Sequence, residues 1–203
     1  LNLIKHIKPT IILFIPQIST QVYTVLDKTM IGLIISDKKE VGYYEQAQKL
    51  IKLLMTLATS LGTVMMPRIA ATYASGDNEK VKEYMTKSFG FIMMLSFPLT
   101  LGMCSVSKHF VPLFFGEGYD KVIILICVIS PIIVLIGLSN VTGTQYLLPT
   151  KQQSKYTISV VAGALINFTF NLLLIKRFAS IGASIATVIA ELVVTSIQFY
   201  LLK

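Results

Sequence analysis

Long apolar runs separated by short polar turns make up most of the chain. At 1.5 Å per residue they predict six membrane-spanning helices, over about 11–35, 41–70, 89–107, 122–148, 156–175 and 181–202. The breaks between them carry recognisable punctuation. Pro9 suits a helix start, Ser36-Asp37-Lys38-Lys39 reads as a tight turn, and Pro67-Arg68 marks the far end of the second span. Residues 71–88 mix charges on a helical period and predict a short amphipathic helix at the membrane surface. Residues 108–121, with Pro112, Gly116 and Gly118, predict a compact loop. Pro149-Thr150-Lys151 and Lys176-Arg177 close the fourth and fifth spans, while Pro16, Pro98 and Pro131 fall inside spans and interrupt them.

Two of these spans are not purely apolar. In the first, Gln17, Thr20, Gln21, Thr24, Asp27 and Lys28 fall within an arc of roughly 120° on a helix. In the second, Glu45, Gln48, Lys49, Lys52, Thr56, Thr59, Ser60 and Thr63 share an arc of about the same width. An ionised side chain at the bilayer centre costs at least ~2.5–3.5 kcal/mol, so such residues point into a bundle or a water-filled cavity. The pair of helices therefore reads as two walls of a hydrophilic cavity. Asp27 and Lys49 each lie about 12 Å below the same membrane face and are expected to form an ion pair. Glu45 and Lys49 are an i,i+4 pair, which leaves Lys28 and Lys52 to offer positive charge to an anionic group. The alternative is that all these charges form a structural network joining two helices.

The last span carries a third stripe, Ser184, Thr187, Glu191, Thr195 and Gln198, within about 80°. Glu191, near its midpoint, is either an interhelical hydrogen-bonding residue or a residue that couples ion or proton movement. Asn167 and Asn171, four apart, read as interhelical glue. Arg68 is either a headgroup anchor or a phosphate contact at the inner mouth of the cavity.

Composition agrees with the pattern: 54% hydrophobic and 14% charged residues, with mean hydropathy +0.71, belong to an all-α, multi-pass membrane protein. The net charge of +8 is spread over turns and span interiors, with no basic domain for nucleic acid, so lipid headgroups or an anionic lipid-linked substrate suit it better. Lys and Arg are in excess on the side holding both ends of the chain, which places the termini in the cytoplasm. Cys104 and Cys127 read as reduced buried thiols. His6 and His109 sit at span ends without metal spacing, and neither a GxSxG elbow nor a Walker loop is present. The sequence thus predicts no enzyme, no metal and no cofactor. It begins at Leu1 rather than Met, so a fragment of a longer chain is expected.

The succession IPQISTQVYTVLDKTMIG (15–32), VGYYEQAQKL (41–50), MMPRIA (65–70), GTQYLLPTKQ (143–152), INFTFNLLLI (166–175) and IGASIATVIAE (181–191) resembles the second half of bacterial oligosaccharide flippases. These are the Wzx-type polysaccharide biosynthesis proteins of the multidrug/oligosaccharidyl-lipid/polysaccharide exporter superfamily. The resemblance covers essentially the whole chain. It implies a six-helix lobe of a two-lobe exporter fold in the bacterial cytoplasmic membrane. It further implies a central cationic cavity and translocation of an undecaprenyl-pyrophosphate-linked oligosaccharide by alternating access. Implied partners are that substrate, membrane lipids, the missing N-terminal lobe and other polysaccharide assembly proteins. Such a head group is accommodated by Lys28, Lys49 and Lys52 for the anion and by Gln17, Gln21 and Gln48 for sugar hydroxyls. Competing readings are a cation-coupled drug antiporter of the same superfamily, a membrane glycan polymerase or transferase, and a non-transporting scaffold. A cation exporter would favour acidic residues in the cavity, whereas the first two spans carry three Lys against two acids.

Overall fold

The computed structural model describes residue 18 and residues 25–202, and among them it contains helices and turns but no strand. The first helix, α1, is seen over 25–34. It is followed by α2 (Lys39–Ala74), α3 (Asn78–Phe115), α4 (Asp120–Ile129), α5 (Ile132–Ser139), a π-helical segment (Asn140–Leu147) and α6 (Gln153–Leu201). Four stretches among the described residues are long and apolar enough to cross a membrane: α2, α3, the run Asp120–Leu147, and α6. The central element is α2, which packs on every later helix.

At 49 residues α6 would be about 74 Å long if straight, more than twice the hydrocarbon thickness. It is not straight. Ala179 takes φ 51° and ψ −130°, a left-handed conformation that disfavours any residue with a Cβ, and the two halves, α6a (153–178) and α6b (180–201), fold against each other. A Cβ on Gly182 would come within 2.4 Å of the Leu174 carbonyl oxygen, and one on Gly163 within 2.3 Å of Val194 Cγ2. Each half is about 30 Å or more in length, enough for one crossing.

Several boundaries differ from those read in the sequence. The polar stretch 71–88 is not a separate surface helix. A turn at 75–77 divides it, Asp77 accepts a hydrogen bond from the Lys80 amide at 3.0 Å, and α3 then runs unbroken through Pro98 and Pro112 to Phe115. Proline is tolerated there because membrane helices re-satisfy freed carbonyls locally. The loop before α4 shrinks to Gly116–Tyr119, with Gly116 and Gly118 at positive φ. Tyr43 closes it by donating to the Gly118 carbonyl at 3.1 Å and packing edge-on against Tyr119. Pro131 divides the fourth span into α4 and α5, and the polar run after it is wound as a π-helix. Finally, α6a passes through Lys176 and Arg177 and breaks only at Ala179.

The break in α6 is held by one side chain. Glu40, at the start of α2 and 7% exposed, accepts from both the amide (3.2 Å) and the hydroxyl (2.6 Å) of Ser180. Its other oxygen pairs with Lys121 at the start of α4. An anion at the N-terminus of α6b satisfies amides left open by the break and opposes the helix dipole. One carboxylate thus ties three helices at a single membrane face. Replacing it by alanine, Glu40→Ala, is expected to lower stability by about 2 kcal/mol, since charge-assisted bonds contribute roughly that much. Thermal unfolding of the purified full-length protein in detergent measures the loss; an unchanged melting temperature would show that the clamp is idle.

Candidate functional site: a buried carboxylate beside a wet lysine face

Adjacent residues on a helix point about 100° apart, and at Asp27 and Lys28 that angle separates two environments. Asp27 is fully buried. Its Oδ2 accepts from the Tyr44 hydroxyl at 2.7 Å and lies 2.9 Å from Thr187 Oγ1, while Oδ1 accepts from the Asn171 amide. The ring of partners extends outward: Gln48 Nε2 donates to Tyr44 Oη at 2.8 Å, and Asn171 Nδ2 also reaches Asn167 Oδ1 at 3.0 Å. Four helical segments, α1, α2, α6a and α6b, meet on this one carboxylate. The fully buried Ile31, Ala47, Ile51 and Ile175 belong to the surrounding core.

Lys28 faces the other way. Its ammonium lies 3.4 Å from Glu45 Oε1, and Lys49 lies 3.4 Å from the same oxygen. Lys52, one turn beyond Gln48, is exposed, as are Thr56, Ser60, Thr63 and Arg68 further along α2. Among the described residues the strip therefore carries the exposed Lys49 and Lys52 and the half-buried Lys28 against the half-buried carboxylate of Glu45. The expected pair of Asp27 with Lys49 does not form. The two sit on different faces of the hairpin, and Lys49 is taken by Glu45. Lys28, expected to be unneutralised, shares that acid. Gln48 sits in the Asp27 cluster, 6% exposed, rather than on the open strip. Glu191 is buried at 4% exposure within α6b, and Gln17 and Gln21 lie outside the described residues.

The cluster has a definite chemical capacity. No ammonium or guanidinium of a described residue forms an ion pair with Asp27, so only neutral dipoles compensate its charge. Two buried amide atoms beside it, Asn167 Nδ2 and Asn171 Oδ1, have no hydrogen-bond partner. Thr187 Oγ1 is 2.9 Å from both Asp27 Oδ2 and the Ala183 carbonyl, and its one proton can serve only one of them. A proton on Asp27 would supply the missing donor. Turning the Asn171 amide would instead bring its oxygen to the carboxylate, with Asn167 Oδ1 and Thr187 Oγ1 nearby, an all-oxygen setting of the kind hard cations take. The site can hold a proton or a small monovalent cation. Among the described residues no group of His, Cys, Asp and Glu could hold a transition metal.

Tyr44, Asn171 and Thr187, the direct partners of Asp27, were not singled out as site residues from sequence. The signal was present as i,i+4 polar pairs, Tyr44 with Gln48 and Asn167 with Asn171, but pairs of this kind also serve plain helix packing.

Comparison with known proteins places this geometry in context. The sequence matches the family described as "Polysaccharide biosynthesis protein" over residues 7–124, more than half of the chain. It is 26% identical over 190 residues to the putative O-antigen transporter of Escherichia coli (strain K12), covering 94% of this chain and 45% of that protein. It is 24% identical over 159 residues to the lipid II flippase MurJ of Bacillus subtilis (strain 168), covering 77% of this chain and 29% of that one. Among solved structures, it superimposes on lipid II flippase MurJ in its inward closed conformation with TM-score 0.82, at 17% identity, over 93% of this chain and 41% of that chain. An outward-facing multidrug resistance MATE family transporter of the MOP superfamily gives TM-score 0.81 at 18% identity, over 95% and 43% of the two chains. The chain thus spans less than half the length of the relatives it matches, and its fold is that of part of an exporter.

The separation of the two faces is directly testable. In full-length protein with every native cysteine replaced by alanine, Lys49→Cys and Lys52→Cys are expected to react with a membrane-impermeant thiol reagent at least tenfold faster than Gln48→Cys. Equal rates at all three positions would mean that water reaches the Asp27 cluster as freely as the lysine strip.

Proposed function

Because the chain belongs to the polysaccharide biosynthesis protein family, within the multidrug/oligosaccharidyl-lipid/polysaccharide exporter superfamily, we propose that it is one lobe of a flippase for a lipid-linked oligosaccharide. The lobe works in the cytoplasmic membrane of a bacterium. The observation that supports this reading most is the pairing of an exposed, net-positive strip with a dry, uncompensated carboxylate on the same two helices. In this reading the strip faces a second lobe across a water-filled cavity, and Lys28, Lys49 and Lys52 attract the pyrophosphate that joins lipid to sugar. Ammonium groups suit that task because phosphate oxygens are strong acceptors. The hydroxyls of Thr56, Ser60 and Thr63 bond back to their own helix, yet their oxygens keep lone pairs for sugar hydroxyls. Arg68 lies at the cytoplasmic mouth, where it meets the substrate phosphate or a lipid headgroup.

Asp27 supplies the driving force. A carboxylate that joins four helical segments alters their packing when it gains or loses a cation, because its unpaired charge is tolerable only with that cation present. Binding on one side of the membrane and release on the other then biases the lobe between two arrangements, as a differential ligand must. The net positive charge of the strip disfavours cationic drugs as cargo.

The test is saccharide export by cells whose own flippase is replaced by the full-length protein. Asp27→Asn and, separately, Lys52→Glu are expected to reduce surface polysaccharide at least tenfold with membrane insertion retained. The first removes the ionisable group and the second reverses charge on the strip. Wild-type levels from both variants would overturn the reading.

A further inference from the structure

A cavity at the start of α2 takes no part in the transport path outlined so far. Lys39, Tyr43 and Gln46 line it from α2, Glu117 and Tyr119 line it from the loop between α3 and α4, and it encloses about 370 Å³. That is within the size range of small-molecule pockets. The cavity lies at the opposite end of α2 from Arg68, and it adjoins the lysine strip. Gly42, which also lines it, precedes Lys49 by seven residues, and on a helix that spacing puts the two within about 20° of one another. The wall of the cavity therefore runs on into the strip.

The loop side is built by two glycines. Gly116 and Gly118 take positive φ, 81° and 90°, which glycine adopts without strain, and Glu117 is presented between them. Tyr43 fixes this loop to α2, because its hydroxyl donates to the Gly118 carbonyl at 3.1 Å and its ring meets Tyr119 edge-on at 5.8 Å between centroids. Tyr119 in turn stacks on Phe115 at 5.3 Å. Both tyrosine rings are thus positioned in advance, which lowers the ordering cost of binding.

The polar side chains, by contrast, are uncommitted. Among the described residues Lys39, Gln46 and Glu117 make no side-chain hydrogen bond or ion pair, although all three line one cavity. An ammonium donates, a carboxylate accepts, and a primary amide does both. The charges of Lys39 and Glu117 offset one another, and Glu117 repels phosphate. The matching ligand is neutral and dense in hydroxyls, which both donate and accept, and it has apolar C–H faces to lie on aromatic rings. Those are the properties of a saccharide.

We propose that this cavity is a saccharide subsite at the outer mouth of the lobe, with Tyr43 and Tyr119 supplying the aromatic surface and Lys39, Gln46 and Glu117 the hydrogen bonds to sugar hydroxyls. The proposal rests on the flippase reading and divides the cargo between two places. The strip attracts the pyrophosphate, and the outer cavity holds the sugar chain.

The probe is the repeat-unit oligosaccharide, freed of lipid and phosphate, from cells in which the full-length protein replaces the resident flippase. Saturation-transfer NMR with purified full-length protein in lipid nanodiscs reads its binding. The wild type is expected to give a sugar ring-proton signal. Gln46→Ala combined with Glu117→Ala should weaken binding at least fivefold, because each change removes hydrogen bonds to the sugar. Neither side chain is buried, so the melting temperature should stay at the wild-type value. Lys82→Ala, at the opposite end of α3, should leave binding unchanged. Wild-type affinity in the double variant, or no signal from a wild type that restores export, would overturn the subsite and leave the flippase reading intact. A wild type that fails to restore export would overturn the flippase reading, and the subsite with it.

Discussion

A carboxylate removed from water and given no cationic partner among the described residues is the constraint on which this lobe depends. Charged groups buried without compensation cost several kcal/mol, and Asp27 offsets that cost by drawing donors from every helix within reach: Tyr44 from α2, Asn171 from α6a and Thr187 from α6b. Much of the fold exists to deliver them. The reversal at Ala179 brings Asn171 and Thr187 to the same depth on opposite halves of one helical pair, and Glu40 holds that reversal in place from the start of α2. The donors still leave two amide atoms orphaned and one hydroxyl proton contested. A proton on Asp27 would settle that contest by supplying a second hydrogen between the two oxygens.

The same hairpin makes the lysine strip by rotation alone. Moving one residue along α1 or α2 turns the side chain through about 100°, from a dry interior to an exposed strip. Asp27 and Gln48 face inward, and Lys28 and Lys49 outward. A change in occupancy at Asp27 would therefore act one residue away from the lysine strip. Coupling requires only that α1 and α2 shift together, and Lys28 and Glu45 already tie those two helices.

Helical periodicity was legible in the sequence, and azimuth was not. The apolar runs pointed to helices, and counting from their ends predicted one level for Asp27 and Lys49. An arc of about 120° is wide enough to contain two faces, however, and nothing in α1 or α2 alone states which part of the arc α6 covers. The ion pair expected between Asp27 and Lys49 failed on that point. Asn171 and Thr187 show the same limit, since their role depends on contacts with a residue more than a hundred positions away. The continuity of α3 through Pro98 and Pro112, and the break of α6 at Ala179 rather than at Lys176-Arg177, were hidden for a local reason. Proline and basic residues are weak stop signals inside a membrane bundle, whereas the actual break needs Glu40 from another helix. The π-helix left only a run of polar residues as its trace.

The central claim is that Asp27 binds a proton or a small cation in the native protein, and linkage gives its most direct measurement. A ligand that binds only the folded state raises stability by RT ln(1 + [L]/Kd), about 2.7 kcal/mol at a hundredfold excess over Kd. Thermal unfolding of the full-length protein can be followed in alkaline buffer whose only cation is bulky and organic. It is then repeated at acidic pH and, separately, with sodium. The account predicts that the wild type gains melting temperature under at least one of these conditions and that Asp27→Asn loses that gain. Equal responses from the two proteins under both conditions would contradict it.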